Sequence, residues 1–292
     1  MTDDTSKIRR WLFAAALAAA LIGLVAALMI RSGDGGAETA GSATVPTDAD
    51  ASAPDADSAR PDALPAGADV DLTGTWAHKS LQTSLTDVPV GGEVEARTIT
   101  LRITEVEQTD RTLAIRSKVC HSEVDGDSDT VTTRIPDAFV DGLPVAERRG
   151  QLEERNGELA LTVDHQCDVY GADLDDPQDA LPTAPDAPTV VDADGDGDPG
   201  VTVHLEGMIS AKLNIAQRGC DSYVGRVLSE DRVRGTVDWS ADQELLESNS
   251  MLVGSKPPSR PHPDAQKSWF EMRRVDEAMT CEQLMERVDE VF

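Results

Sequence analysis

The chain has 292 residues with a formal net charge of -28, set by 54 acidic against 26 basic side chains. That balance repels phosphate backbones and anionic lipid surfaces, so it argues against nucleic-acid binding and electrostatic docking on membranes and favours cations as partners. Only 3% of residues are aromatic while 39% are hydrophobic, and much of that apolar share is alanine within the first thirty residues, so a folded core must be built from Val, Leu and Ile.

The N-terminus carries the strongest local signal. Lys7, Arg9 and Arg10 precede an uncharged run from Trp11 to Ile30, which Arg31 ends. As a helix, about twenty residues span roughly 30 Å, the thickness of a bilayer's hydrocarbon core. Three basic residues before the run against one after it predict a cytoplasmic tail over 1–10, a transmembrane signal-anchor over 11–31 and export of everything downstream. The competing reading is a cleaved signal peptide with a small-residue site near Gly41-Ser42-Ala43, but its apolar region would be long and the site distant. The expected location is therefore the inner membrane, single-pass, with the C-terminal part in the periplasm or outside the cell. Residues 32–69 are almost entirely Ala, Asp, Gly, Ser, Thr and Pro; with so little apolar surface to offset ordering entropy, they predict a disordered, self-repelling linker.

From Val70 to residue 292 the pattern changes to that of a mainly β domain. Ile99, Leu101 and Ile103 alternate with Thr98, Thr100, Arg102 and Thr104, and Leu113, Ile115 and Val119 follow at matching spacing, as half-buried strands do. Leu159, Leu161 and Val163 continue that phase through His165 and Cys167, and Val201, Val203 and Leu205 form another run. Further strands are expected over 73–79, 130–136, 211–217, 221–228, 232–239 and 268–275. About ten strands separated by turn residues predict an antiparallel barrel or a sandwich. The charged, turn-rich stretches 137–157 and 171–200 read as loops. A proline-rich linker, KPPSRPHPD, precedes SWFEMRRV. One amphipathic helix is expected over 280–291, started by a Thr280/Gln283 capping box and presenting Cys281, Leu284, Met285, Val288 and Val291 on one face.

The sharpest chemical motif is Asp192-Ala193-Asp194-Gly195-Asp196-Gly197-Asp198-Pro199-Gly200. Carboxylates at alternate positions followed by glycine match the first half of an EF-hand-type loop, which wraps hard oxygen ligands around Ca²⁺, so Asp192, Asp194, Asp196 and Asp198 are the candidate metal ligands. The second half departs from that pattern: Val203 stands where a bidentate Glu would close the loop, Pro199 stiffens the exit, and the strand-like VTVHL follows. The competing reading is an acidic surface turn.

Four cysteines, Cys120, Cys167, Cys220 and Cys281, all lie on the exported side without CxxC spacing, which predicts two disulfides. Three pairings are possible; proximity along the chain favours Cys120–Cys167 with Cys220–Cys281. Among the five histidines, His165 at an inward strand position and His121 beside Cys120 are candidates for a polar cluster inside the domain, although an inward histidine is more often a hydrogen-bonded core residue. No GxSxG, HExxH, P-loop or GxGxxG is present, so no familiar catalytic arrangement is encoded locally.

Leu72-Thr73-Gly74-Thr75-Trp76 resembles the GxW start of lipocalin-like barrels, in which the tryptophan plugs one end and a late arginine packs over it. The resemblance implies a plug made by Trp76 with an arginine of the last strand, assigned to Arg273. The segment running from Asp192 or Asp194 to Val203 resembles the DxDGDGxPGVTV stretch of uncharacterised exported bacterial proteins, a likeness that brings no known activity. Together these readings predict a membrane-anchored envelope module that binds or builds rather than catalyses, partnered by an envelope protein or, if its interior is open, by a small apolar ligand. An enzyme with a site assembled from distant residues is the third reading.

Overall fold

The computed structural model describes residues 63–88, 92–126, 131–207, 210–250 and 259–292. The predicted anchor over 11–31, the cytoplasmic tail and residues 32–62 of the linker lie outside the described residues. No helix among the described residues is long and apolar enough to cross a membrane.

Among the described residues eleven strands carry the fold: β1 (Gly74–Val88), β2 (Gly92–Thr109), β3 (Thr112–Gly126), β4 (Val131–Arg134), β5 (Ala146–Arg155), β6 (Glu158–Tyr170), β7 (Val201–Gly207), β8 (Ala211–Ser229), β9 (Arg232–Ser248), β10 (Ser259–Pro261) and β11 (Trp269–Arg274). Three short α-helices among the described residues accompany them, α1 (Asp137–Gly142), α2 (Cys281–Glu286) and α3 (Val288–Val291), with one 3-10 turn over Ala265–Lys267. All strands belong to one antiparallel sheet in the order β4-β7-β8-β6-β5-β3-β2-β1-β11-β9, with β10 on β1. β8 also pairs with β9, so the pairings from β8 through β1 and β11 to β9 return on themselves. Because β4, β7 and β10 branch from this circuit, the sheet is neither a clean barrel nor a two-sheet sandwich.

The 19-residue β8 is the spine. One edge pairs with β9 along almost its whole length, while the other pairs with β7 over Ala211–Ile215 and with β6 over Gln217–Arg226. The two strands expected over 211–217 and 221–228 are therefore one. Gly235 lets β8 and β9 approach closely here: a Cβ on it would stand 2.0 Å from the Val224 carbonyl oxygen, a separation that no side chain tolerates.

Two elements arise from the stretch read as a loop over 137–157. The helix α1 buries Phe139 and Val140 in a cluster with Val203, Leu205 and Leu213. β5 buries Ala146, Arg148, Gly150 and Leu152 on one face and turns into β6 through Asn156-Gly157, both at positive φ (54° and 81°). That geometry is the one a two-residue hairpin turn of this composition adopts. By contrast, 171–200 contains no named strand, only isolated bridges, and Leu181 packs with Ala172, Ala216 and Leu246 on the outside of β8 and β9.

The packed chain starts before Val70. Leu64 N–H donates to Val227 O, Leu159 N–H donates to Leu64 O, and Leu64 and Ala68 rest against the main core cluster. That cluster, which includes Trp76, Leu161, Val233 and Phe270, fills one end of the sheet's inner face. Trp76 is fully buried. The arginine over its ring, 4.8 Å away, is Arg274 and not Arg273. Strand alternation decides this: Arg274 is the register partner of Trp76 and shares its face, whereas Arg273 lies opposite Ala77 and pairs with Glu271. Arg274 also donates to the carbonyls of Asp71, Thr73 and Glu230, tying the start of β1 to the β8–β9 turn.

Candidate functional site

The loop Asp192–Gly200 is organised by its own carboxylates. Asp192 Oδ1 accepts from Gly195 N–H at 2.7 Å and Oδ2 from Gly197 N–H at 2.9 Å. Asp194 Oδ2 accepts from Thr202 N–H at 2.9 Å, and Asp196 Oδ2 accepts from Thr202 Oγ1 at 2.8 Å, so the start of β7 holds the middle of the loop. Gly200, at φ +87°, closes it against β8, where a Cβ would lie 2.4 Å from Ile215 O. One oxygen each of Asp192, Asp194 and Asp196 falls within 4.8 Å of the others.

Electrostatics separate the carboxylates. The N–H groups of Gly197 and Gly195 hold Asp192 below the ordinary carboxylate range. For Asp196, burial pushes the carboxyl up, but hydrogen bonds from Thr202 and Lys212 outweigh it and leave it lowered. Asp194 is raised, first by burial and then by the charges of Asp196 and Asp192, and its Oδ1 is buried without a hydrogen-bond partner. Asp198, the fourth expected ligand, lies outside that converging group, and its carboxylate pairs with the Lys212 ammonium, which also lies 3.2 Å from Asp196 Oδ2. Three hard oxygens with spare lone pairs suit Ca²⁺, and Lys212 supplies part of the neutralising charge from β8.

All four cysteines are in disulfides, and the pairing is Cys120–Cys281 with Cys167–Cys220, not the one favoured by proximity along the chain. The β6–β8 register sets Cys167 directly opposite Cys220. Cys120 is the extra residue of a bulge in β3 opposite Leu101 and Arg102, free of ladder pairing, and meets the returning C-terminus.

A second polar site lies on the inner face, where sequence reasoning placed other histidines. His165 is exposed because a bulge between Val163 and Gln166 breaks the β6 alternation, and His121 is only half-buried beside Glu123. The buried imidazole is His78 of β1, 7% exposed. It packs edge-on to Tyr223 and Phe270 at 5.5 and 5.7 Å. Burial, together with the positive charges of Arg102 and Arg148, holds its pKa well below 6.5, so it is neutral. Arg148 Nη1 lies 2.6 Å from Asp221 Oδ1, its Nη2 donates to Asp221 O at 2.7 Å, and its guanidinium covers the Tyr223 ring at 5.2 Å. Burial works against the charge of Arg148, but Asp221 outweighs it and the pKa is raised. Tyr223 O–H donates to Asp221 Oδ2 at 2.9 Å, and burial pushes the phenol up. Arg102 donates to Ser80 Oγ at 2.8 Å.

His78, Arg102, Arg148, Tyr223 and Phe270 line a cavity of about 20 Å³. The sequence signal for them was faint. In β2 it is Thr98, Thr100, Arg102 and Thr104 that are buried on the inner face with Trp76, His78 and Ser80, by register, while Leu101 faces out under the C-terminal helices with Ala77 and Leu284. No protein-family model matches the chain, and none of the curated proteins matches it.

Proposed function

We propose that residues 63–292 form an exported binding or structural module of the cell envelope, tethered through the segment 11–31 and stiffened by Ca²⁺ in the Asp192–Gly200 loop. The observation that carries this reading is the convergence of Asp192, Asp194 and Asp196, with Asp194 Oδ1 buried and unpaired beside two other carboxylates. A cation there would relieve the repulsion that raises Asp194, and the loop would then brace β7 against β8. The two disulfides support an oxidising location outside the cytoplasm. Stacking of Arg274 on Trp76 supports a lipocalin-like architecture, closed at one end. It does not extend to carriage of an apolar ligand, because the inner face is filled by core side chains at that end and lined by hydroxyl and amide groups such as Gln82, Ser84 and Thr98 elsewhere.

A ligand that binds only the folded state stabilises it by RT ln(1 + [L]/Kd), so Ca²⁺ at ~100 times Kd adds about 2.7 kcal/mol. Mg²⁺ adds less, because it demands octahedral geometry and gives up water reluctantly. The double variant Asp194→Asn/Asp196→Asn loses the Ca²⁺-dependent rise in melting temperature. Melting and limited proteolysis with and without chelator decide the matter. Unchanged melting and unchanged cleavage between Val190 and Val201 would leave only an acidic turn held by Lys212.

A further inference from the structure

In a chain of net charge -28, one stretch of the sheet's outer face is basic. Glu271 of β11 has a side chain only 7% exposed, and three guanidinium groups share it: Arg232 Nε at 2.9 Å, Arg234 Nη1 at 3.9 Å and Arg273 Nε. Alternation fixes the side on which they stand. Val233, Phe270 and Met272 belong to the inner core cluster, and the β9–β11 register sets Arg234 opposite Glu271 and Arg232 opposite Arg273, so the four charged residues share the outer face. One carboxylate offsets one of the three positive charges. It lies beneath them, while the side chains of Arg232, Arg234 and Arg273 are 29%, 53% and 31% exposed. Two acidic neighbours are already engaged: Glu158 accepts from Arg226 at 2.6 and 2.8 Å, and Asp231 pairs with Arg274 at 2.9 Å.

We propose that the acidic segment 46–62 of this chain docks on that face, with its carboxylates on Arg232, Arg234 and Arg273. The entry point of the described chain brings the segment there. Leu64 N–H donates to Val227 O of β8, and the register partner of Val227 on β9 is Val233, between Arg232 and Arg234. Two strand spacings amount to about 10 Å, and the stretch from Asp57 to Leu64 reaches up to about 23 Å when extended. The charges match in sign and in spacing. Asp48-Ala49-Asp50 and Asp55-Ala56-Asp57 place a carboxylate at every second residue, with Arg60 as the only basic residue among them and Asp62. In an extended backbone such a pair projects to one side about 7 Å apart, the same period that separates Arg232 from Arg234 along β9. Guanidinium forks suit carboxylates in particular, because they bind them through two parallel hydrogen bonds. On the anchored reading proposed above, docking shortens the spacer; the docking itself does not depend on the anchor.

Spin labelling of the full chain in non-ionic detergent tests this. With a nitroxide on Ser52→Cys, the Trp269 indole N–H signal, beside Arg234 at 5.5 Å from ring to guanidinium, is broadened at about 10 mM salt, where charges act over about 30 Å. It sharpens at about 1 M salt, where that range falls to about 3 Å. The variant Asp48→Asn/Asp50→Asn/Asp55→Asn/Asp57→Asn, carrying the same label, gives the sharp signal already at low salt, and its changes all precede the packed chain. A Trp269 signal that stays sharp in the labelled parent at low salt overturns the proposal, and so does broadening that survives in the Asn variant. Broadening that vanishes on dilution with unlabelled protein assigns the contact to a second copy and overturns it too.

Discussion

At the scale of single residues, His78 makes the buried polar cluster measurable. Its folded pKa is lowered well below the ordinary 6.5, so between those two values the unfolded chain binds a proton that the folded chain refuses. Stability therefore holds above pH 6.5 and falls as the pH drops through it, by at most about 1.4 kcal/mol per pH unit for this one group. Denaturant melts of wild type and His78→Gln at about pH 7.5 and about pH 5.5 should show a shallower loss in the variant by up to that amount per unit. Equal slopes would mean that the imidazole takes its proton inside the fold. None of this was visible in the chain around His78. In WAHKS the histidine follows Trp76 by two positions, which marks it as inward, but the arginines that neutralise it come from β2 and β5, and only the register brings them together.

At the scale of elements, the C-terminus shows what local sequence achieves and where it stops. Thr280 and Gln283 make both hydrogen bonds of the capping box, as their spacing requires. The single helix expected over 280–291 is instead α2 and α3, separated at Arg287 (φ -122°, ψ 19°). Leu284 is fully buried against Ala77 and Leu101, whereas Met285 is 38% exposed. Helices this short have no independent stability, so their attachment rests on the cluster around Leu284, to which Val288, Val291 and Phe292 add, and on Cys120–Cys281. The double variant Cys120→Ser/Cys281→Ser should lose about 2–4 kcal/mol and expose residues 276–292 to protease while the sheet stays protected. Non-reducing peptide mapping should recover Cys120 joined to Cys281; a Cys120–Cys167 peptide would contradict this topology. β5 carries no strand signal of its own in the sequence. Its inward residues are Ala146, Arg148, Gly150 and Leu152, a set with no apolar alternation, although Asn156-Gly157 was a hairpin signal in plain view.

At the scale of the whole molecule, the proposed tether predicts that a reporter fused after Phe292 works only outside the cytoplasm and stays with the membrane fraction. Cytoplasmic activity would reverse the topology, and a mature chain beginning near Thr44 would show cleavage. The residues behind this prediction act through composition and order along the chain, and so do the acidic loop, the turn glycines and the mainly β character, because each depends on neighbours a few positions away. Pairing does not. That β8 serves as one long strand for three partners, that Cys167 faces Cys220, and that Arg274 rather than Arg273 covers Trp76 all follow from register between segments distant in the chain. In a sheet a shift of one residue turns every side chain to the other face, so bulges at Cys120 and between Val163 and Gln166 moved the histidine assignments and the disulfides together. By itself the sequence determined the mainly β character, most of the strand segments though not β5, and that two disulfides form; only the tertiary structure decided which face of β2 is inside, and so where two arginines and a histidine meet.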